Sequence, residues 1–288
     1  MTSARPFDAR GFAVGVSLGI VHLGALCAFI PGTFSWSMVA LAVILYYITG
    51  AWGICLCYHR VLTHRSLTVP APLEKLFAVL GVLALQGGPI DWIATHRKHH
   101  AHSDSEGDPH DIHRGLLWSH MEWLYRPNAA RLSEAEMLRL APDLAGSRFY
   151  QFLQRTHVVW TLVLGLALLA FGGWPAVIWG LFVRAVITYH ITWLVNSAAH
   201  YTGYRTYRTG DMSTNNWWVA LLAWGEGWHN NHHAFPFSAR HGLRWFELDM
   251  TWMTIKILAW LRIARDVKLP SPAMLARLAV KAPQRQAG

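Results

Sequence analysis

The sequence predicts an all-α membrane protein: four transmembrane helices with a cytoplasmic helical cap holding a di-metal histidine site. Three observations lead there. Of the 288 residues 53% are hydrophobic and only 14% charged, too apolar for an ordinary soluble domain. Four stretches, at about 11–30, 36–57, 157–173 and 175–199, are long and uncharged enough to test as spans. Two histidine triples recur at helical spacing in the segments between and after those spans. We read the chain, residues 1–288, as a single domain whose cap comprises about 58–156 and 200–270.

Residues 1–10 form a short basic lead-in, and the first span is too long for the apolar core of a cleavable signal peptide. His22 stands alone in that span and is expected to pack or hydrogen-bond. Pro31-Gly32 turns the chain into the second span. Cys27, Cys55 and Cys57 all fall in spans and are read as small apolar packing residues. Tryptophans such as Trp36, Trp52 and Trp174 sit at span ends, where interfacial belting accounts for them.

The loops at 31–35 and 172–175 carry no Lys or Arg. Apart from Arg184, every basic residue lies in the N-terminal tail, the middle segment or the C-terminal segment. The positive-inside rule therefore predicts a multi-pass protein with both termini and the middle segment cytoplasmic. The formal charge of +9 becomes a one-sided field, suited to anionic lipid, an anionic headgroup or an acidic redox partner. No recognition module points to nucleic acid.

After the second span, Leu76 to Leu85 is too short to cross and is expected to be re-entrant or interfacial, broken by Gln86-Gly87-Gly88-Pro89. Ser133 and Glu136 have capping-box spacing, and Pro142 is expected to stop the helix they start. An amphipathic lead from Leu144 to Arg155 enters the third span. Arg184, inside the fourth, is expected to pair with a carboxylate or a backbone carbonyl. Thr251 to Asp266 reads as an interfacial amphipathic helix, and the tail from Pro270 as loosely ordered.

The chemistry lies in the histidines. In His96-Arg97-Lys98-His99-His100 and His229-Asn230-Asn231-His232-His233, three imidazoles fall within about 60° on one helical face. His59 and His64 are five apart, which separates them by about 140° on a straight α-helix, so that pair alone is weak evidence. Asn196 and His200 are one turn apart at the inner end of the fourth span. Topology brings His59, His64, His96, His99, His100, His200, His229, His232 and His233 to one membrane face. Nine imidazoles exceed the ~4 to 6 ligands one metal takes and so suggest two. Asp104 and Asp108 are candidates to hold the outer nitrogens of ligating rings. His110, His113, His120 and His157 lack regular spacing and stay outside the set. Trp228 reads as packing, and Asn230 and Asn231 as turn or supporting residues.

With these motifs assembled, the chain resembles an integral-membrane fatty acyl desaturase, the family marked by three histidine boxes, here 59–64, 96–100 and 229–233. Trp193 to His200 resembles the family's further element, which implies that Asn196 reaches metal through water. Gln86 to Pro89, Asp108-Pro109-His110 and Ser238 to Leu243 resemble the delta-9-like branch of bacteria, cyanobacteria and plants. Cys57 departs from the glycine usual before Tyr-His.

The resemblance implies two iron ions that activate O2 with two external electrons, zinc being a substitute that purified protein could carry. It implies a cis double bond placed in a saturated C16 or C18 chain, with no general base beyond the metal centre. The substrate would be an acyl-CoA or an acyl-lipid, or a chain on acyl-carrier protein. Electrons would come from a separate ferredoxin-type or cytochrome b5-type donor. Rival readings are a hydroxylase with the same boxes, a transmembrane bis-histidine haem protein, and a metal transporter. The last needs ligands near mid-membrane, where only His22, Arg184 and His190 are available.

Overall fold

A computed structural model describes residues 8–280. The first seven residues of the basic lead-in and the last eight of the tail lie outside the described residues. The described chain is helical, and its only β pairing consists of isolated bridges such as Tyr204 with Asn215.

Helix α1 (Ala9–Leu26) starts where the Asp8 carboxylate accepts the Gly11 N–H, satisfying a free donor of the first turn. A 3₁₀ turn and Gly32, at φ 86°, reverse the chain. Ser35 then caps α2 (Trp36–Tyr46). From Tyr47 to Thr63 the same helix continues with π winding, so Trp36–Thr63 is one apolar rod. Helix α3 (Ala71–Val82) returns along it. A Cβ on Gly53 would lie 2.5 Å from the Gly81 nitrogen, so the two backbones touch. At 12 residues and about 18 Å, α3 is too short to cross a bilayer, as its sequence indicated.

Helix α4 (Pro89–His102) carries the second histidine triple. The short helices α5 (Trp123–Tyr125), α6 (Glu134–Leu140) and α7 (Pro142–Ala145) follow. Ser133 and Glu136 form the expected capping box, and Pro142 opens a new turn after the α6 helix has ended. Next comes a 53-residue helical run, Arg148–His200, composed of α8 (Arg148–Val177), a π-wound link and α9 (Arg184–Asn196). As a straight rod it would measure about 80 Å, against a hydrocarbon core of about 30 Å. It is bent at Gly173, whose φ 65° and ψ −164° are non-helical, and Leu168 packs back on Leu181.

Three helical runs, Ala9–Phe29, Trp36–Thr63 and Arg148–His200, are therefore long and apolar enough to cross a membrane. Arg184 is fully buried and donates to the carbonyls of Leu83, at 2.7 Å, and Gly180, at 3.1 Å. Backbone carbonyls and the Thr49 hydroxyl, at 3.4 Å, rather than a carboxylate accept its hydrogen bonds. His22 bonds the Leu18 carbonyl at 2.7 Å and His190 at 3.0 Å, joining α1 to α9.

The rest of the cap comprises α10 (Trp217–Leu222), α11 (His229–Ala234), α12 (Met250–Trp260) and α13 (Pro272–Leu278). Two expectations need correction. Helix α12 ends at Trp260 rather than running on to Asp266, and Met253, Ile257 and Trp260 are exposed beside Lys256. The tail is not loose as far as residue 280. Ser271 caps α13, the Arg208 N–H donates to Leu278 O at 2.8 Å, and the Val280 N–H to Thr206 O at 2.9 Å. Those backbone bonds dock a segment whose composition alone looked unstructured.

Candidate metal centre

Local winding explains how each histidine arrives. In the π-wound end of α2 the His64 N–H donates to the His59 carbonyl at 3.1 Å. A five-residue turn brings together, edge to face, rings that an α-helix would splay, with centroids 4.8 Å apart. The α-helical separation expected for this pair is thereby corrected. Pro89 opens α4, and its regular winding aims His96, His99 and His100 one way. Helix α11 does the same for His229, His232 and His233. His200 ends a 3₁₀ turn that follows α9 and Asn196.

The nine rings form two groups. His59, His64, His96, His100 and His232 make one, and His99, His200, His229 and His233 the other; in each, one nitrogen per ring lies within 4.8 Å of all the others. The adjacent pairs His99/His100 and His232/His233 divide between the groups. Nε2 atoms face one another at 3.1 Å for His59–His232, 3.0 Å for His100–His232 and 3.0 Å for His229–His233. Asn196 is half-buried and lines the adjoining cavities.

Carboxylates hold the far side of several rings. His99 Nδ1 bonds Asp108 at 2.9 Å, His200 Nδ1 bonds Asp104 at 2.8 Å, and His233 Nδ1 bonds Asp211 at 2.6 Å. Glu226 Oε2 lies 2.7 Å from His59 Nδ1 and 3.2 Å from His241 Nδ1. A ring that donates Nδ1–H to a carboxylate presents Nε2 as a bare lone pair. His99 and His233 both do so, and their Nε2 atoms face each other at 3.4 Å. His200 Nε2 is buried with no hydrogen-bond partner. Converging lone pairs without a proton between them are a donor set for a cation, so these residues fit a metal.

Electrostatics agree. Burial, reinforced by neighbouring imidazoles, pushes His96, His99, His229, His232 and His233 well below the ordinary histidine range. Burial pushes His100 down to about 3. Neutral rings are the form that binds metal. Burial acts to raise Asp211, but the hydrogen bond from His233 prevails and keeps it ionised.

Sequence reasoning placed Asp104 and Asp108 beside the histidines, and both bond a ring. It missed Asp211, Glu226, His241 and His110. Glu226 stands one helical spacing before His229 and could have been noticed. Asp211 lies 22 residues from His233, and no spacing rule reaches that far. His110 packs on His99, with centroids 4.2 Å apart, near Asp108. Asn230 and Asn231 bond backbone and buried side chains, as in Asn230 Oδ1 with the Thr206 N–H at 2.8 Å. The Trp228 indole donates to Leu248 O at 2.8 Å.

Apolar helices long enough for a bilayer, with histidine clusters able to hold metal at the ends of two of them, define a class of membrane-associated metalloprotein. A family profile described as fatty acid desaturase matches residues 34–257. The chain is 55% identical over 249 residues to an sn-1 stearoyl-lipid 9-desaturase of Anabaena variabilis, covering 86% of this chain and 90% of the relative. It is 48% identical to an sn-1 stearoyl-lipid 9-desaturase of Synechocystis sp., over 97% of this chain and 88% of that one. A chloroplastic palmitoyl-monogalactosyldiacylglycerol delta-7 desaturase of Arabidopsis thaliana is 51% identical, over 96% and 73%. The chain belongs to the fatty acid desaturase family, and it is an oxidoreductase acting on fatty acyl chains.

Proposed function

We propose that this protein is a delta-9 acyl desaturase, forming a cis double bond in saturated C16 or C18 chains with two iron ions, O2 and two electrons from a separate donor. One observation carries the reading. A narrow cavity runs from Tyr46 and Gly50 past Ile54, Ile191 and Val195 to His59, His99 and His229. It is largely apolar and ends on rings from both histidine groups. An unactivated methylene chain offers no polar handle, so only a close-fitting apolar wall can fix which carbons meet the reacting centre.

His59, His64, His96, His100 and His232 would hold one iron, and His99, His200, His229 and His233 the other, with Asn196 reaching the second through water. Bound there, the irons supply the oxidising power from O2 that side chains lack. Two acyl hydrogens, two supplied electrons and two protons leave with the oxygen as two waters. Asp104, Asp108 and Asp211 hold their rings in one tautomer, and Glu226 lies against His59. Ile54, Ile191 and Val195 exclude water from the chain.

The whole chain would form one domain with four crossings, the run Arg148–His200 crossing twice by folding at Gly173. Both termini and the cap would then lie on the cytoplasmic side, where the basic surface suits an acidic donor. The delta-9 position and a stearoyl chain are supported by the names of two relatives that match most of this chain.

Expression with an active electron donor in a host lacking delta-9 activity, followed by fatty-acid analysis, tests the reading. New delta-9 monounsaturated C16 or C18 chains are expected, and are lost on His232→Ala. A hydroxylated product, or an unchanged saturated profile, overturns it.

A further inference from the structure

A second, wider cavity, of about 690 Å³, shares four wall residues with the first: Trp92, His96, Thr192 and Asn196 line both. The two spaces therefore meet beside the histidine clusters, one narrow and the other wide. A chain whose methyl end fills the narrow space leads its carboxyl end past His96 into the wide one.

The position of the wide cavity identifies its mouth. One wall comes from α1, through Ala13, Ser17 and Leu18, and another from α8, through His157, Val158 and Thr161. Leu18 is buried, but Ala13 and Ser17 are exposed and Val158 is 59% exposed. These positions belong to helical runs long and apolar enough to span. The opening is thus on the flank of the helical bundle that faces lipid. The floor toward the cap is polar, with Gln86, Asp91, Asn128 and Gln154.

Charge decides between acyl carriers. Among the described residues lining this cavity the arginines are Arg10 and Arg131. Arg10 is paired with Asp91 at 2.5 Å, and Arg131 with Asp8. Each cation already holds a carboxylate, Arg131 in the part-buried wall and Arg10 at an exposed position, so neither is left unpaired for the phosphates of a coenzyme thioester. A neutral ester on a glycerol backbone asks only for polar groups and width.

Resting on the desaturase reading above, we infer that the wide cavity is a lateral portal for an intact diacylglycerolipid. The lipid enters from the bilayer between α1 and α8. It seats its glycerol ester against the polar floor and passes one acyl chain by His96 and Asn196 into the narrow cavity. The portal takes no part in the chemistry; it sets which carrier delivers the chain.

The test uses the full-length protein in membranes of a host lacking the activity, with the donor supplied, and follows glycerolipid products by position. Ser17→Trp and Ala13→Trp, which block the mouth from its exposed side, are expected to slow conversion of lipid-bound chains roughly tenfold. Val16→Trp, at an exposed position on the same helix but off the cavity, should keep the native rate. The purified Ser17→Trp protein should keep the native metal content and thermal midpoint, which separates blockage from misfolding. A diacylglycerolipid with a photoreactive group on its glycerol should label 10–21 and 157–161 in the native protein and not in Ser17→Trp.

Native rates in both mouth variants, with label in neither stretch, overturn the portal and leave the desaturase reading intact. Preferential conversion of stearoyl-CoA or stearoyl-acyl-carrier protein over glycerolipid by the purified native protein also overturns it. A native chain that makes no double bond on any carrier fails the reading beneath it instead.

Discussion

His99 and His233 turn their Nε2 atoms toward one another at 3.4 Å while each gives its Nδ1–H to a buried or nearly buried aspartate, Asp108 or Asp211. The aspartates thus settle which nitrogen of each ring is free. Replacing Asp211 by Asn weakens this control while keeping the shape. Metal affinity should fall about 10- to 100-fold. Metal retained per protein after dialysis against a graded chelator series measures it; retention equal to the native protein would show that Asp211 does not tune the site.

Arg60 is fully buried and ties the end of α2 to the cap. It donates to Asp249 at 3.0 and 3.1 Å, to Glu226 at 3.1 Å and to Ala239 O at 2.8 Å. Arg60→Met removes the cation and leaves two buried carboxylates facing each other. Breaking such a network costs about 3–5 kcal/mol. The thermal midpoint in detergent should drop by many degrees, and Arg60→Met with Asp249→Asn should recover part of that loss. Absence of any recovery would place the damage in packing rather than charge.

The contact between α2 and α3 leaves no room at Gly53, where an added methyl would meet Gly81 N at 2.5 Å and Leu80 C at 2.6 Å. Both are backbone atoms and cannot swing aside. Gly53→Ala is expected to cost about 1–3 kcal/mol through overpacking. Unfolding midpoints report it, whereas Gly19→Ala, at a site with nothing within 4 Å, should be neutral or slightly stabilising.

Asp143 joins α7 to α4 and to Arg65. It accepts from Arg97 at 2.8 and 3.0 Å and also pairs with Arg65. Burial acts to raise its pKa, but the hydrogen bonds from Arg97 and Arg65 prevail and hold it well below the usual carboxylate range. A carboxylate lowered on folding stabilises the fold above its unfolded pKa, about 3.9. That contribution disappears as pH falls toward the folded value. The stability difference between native protein and Asp143→Asn should therefore be full at neutral pH and shrink below about pH 4. Thermal midpoints across that range measure it, and a gap that widens on acidification would contradict the assignment.

Much of the architecture was readable because hydrophobic runs and helix signals are local. The apolar runs and the capping box at Ser133 needed no distant information, whereas the carbonyl of Leu83 that Arg184 meets lies about a hundred residues away. Other features resisted for equally physical reasons. The π winding of Tyr47–Thr63 is a choice among backbone hydrogen bonds, and no composition rule separates it from an α-helix. The docked tail depends on backbone bonds to Arg208 and Thr206, which a polar, proline-containing segment does not advertise.

The sequence by itself pointed to the family chemistry: nine imidazoles, six of them in two triples at helical spacing, beside long apolar runs, with two aspartates close by. Histidine spacing is a property of one helix, so one helix suffices to see it. Only the tertiary structure decided how those rings divide, separating His99 from His100 and His232 from His233. It also brought Asp211 and Glu226 to the rings and opened two cavities of different width on either side of His96. These are relations between elements far apart in the chain, set by packing and burial, and no local pattern contains them.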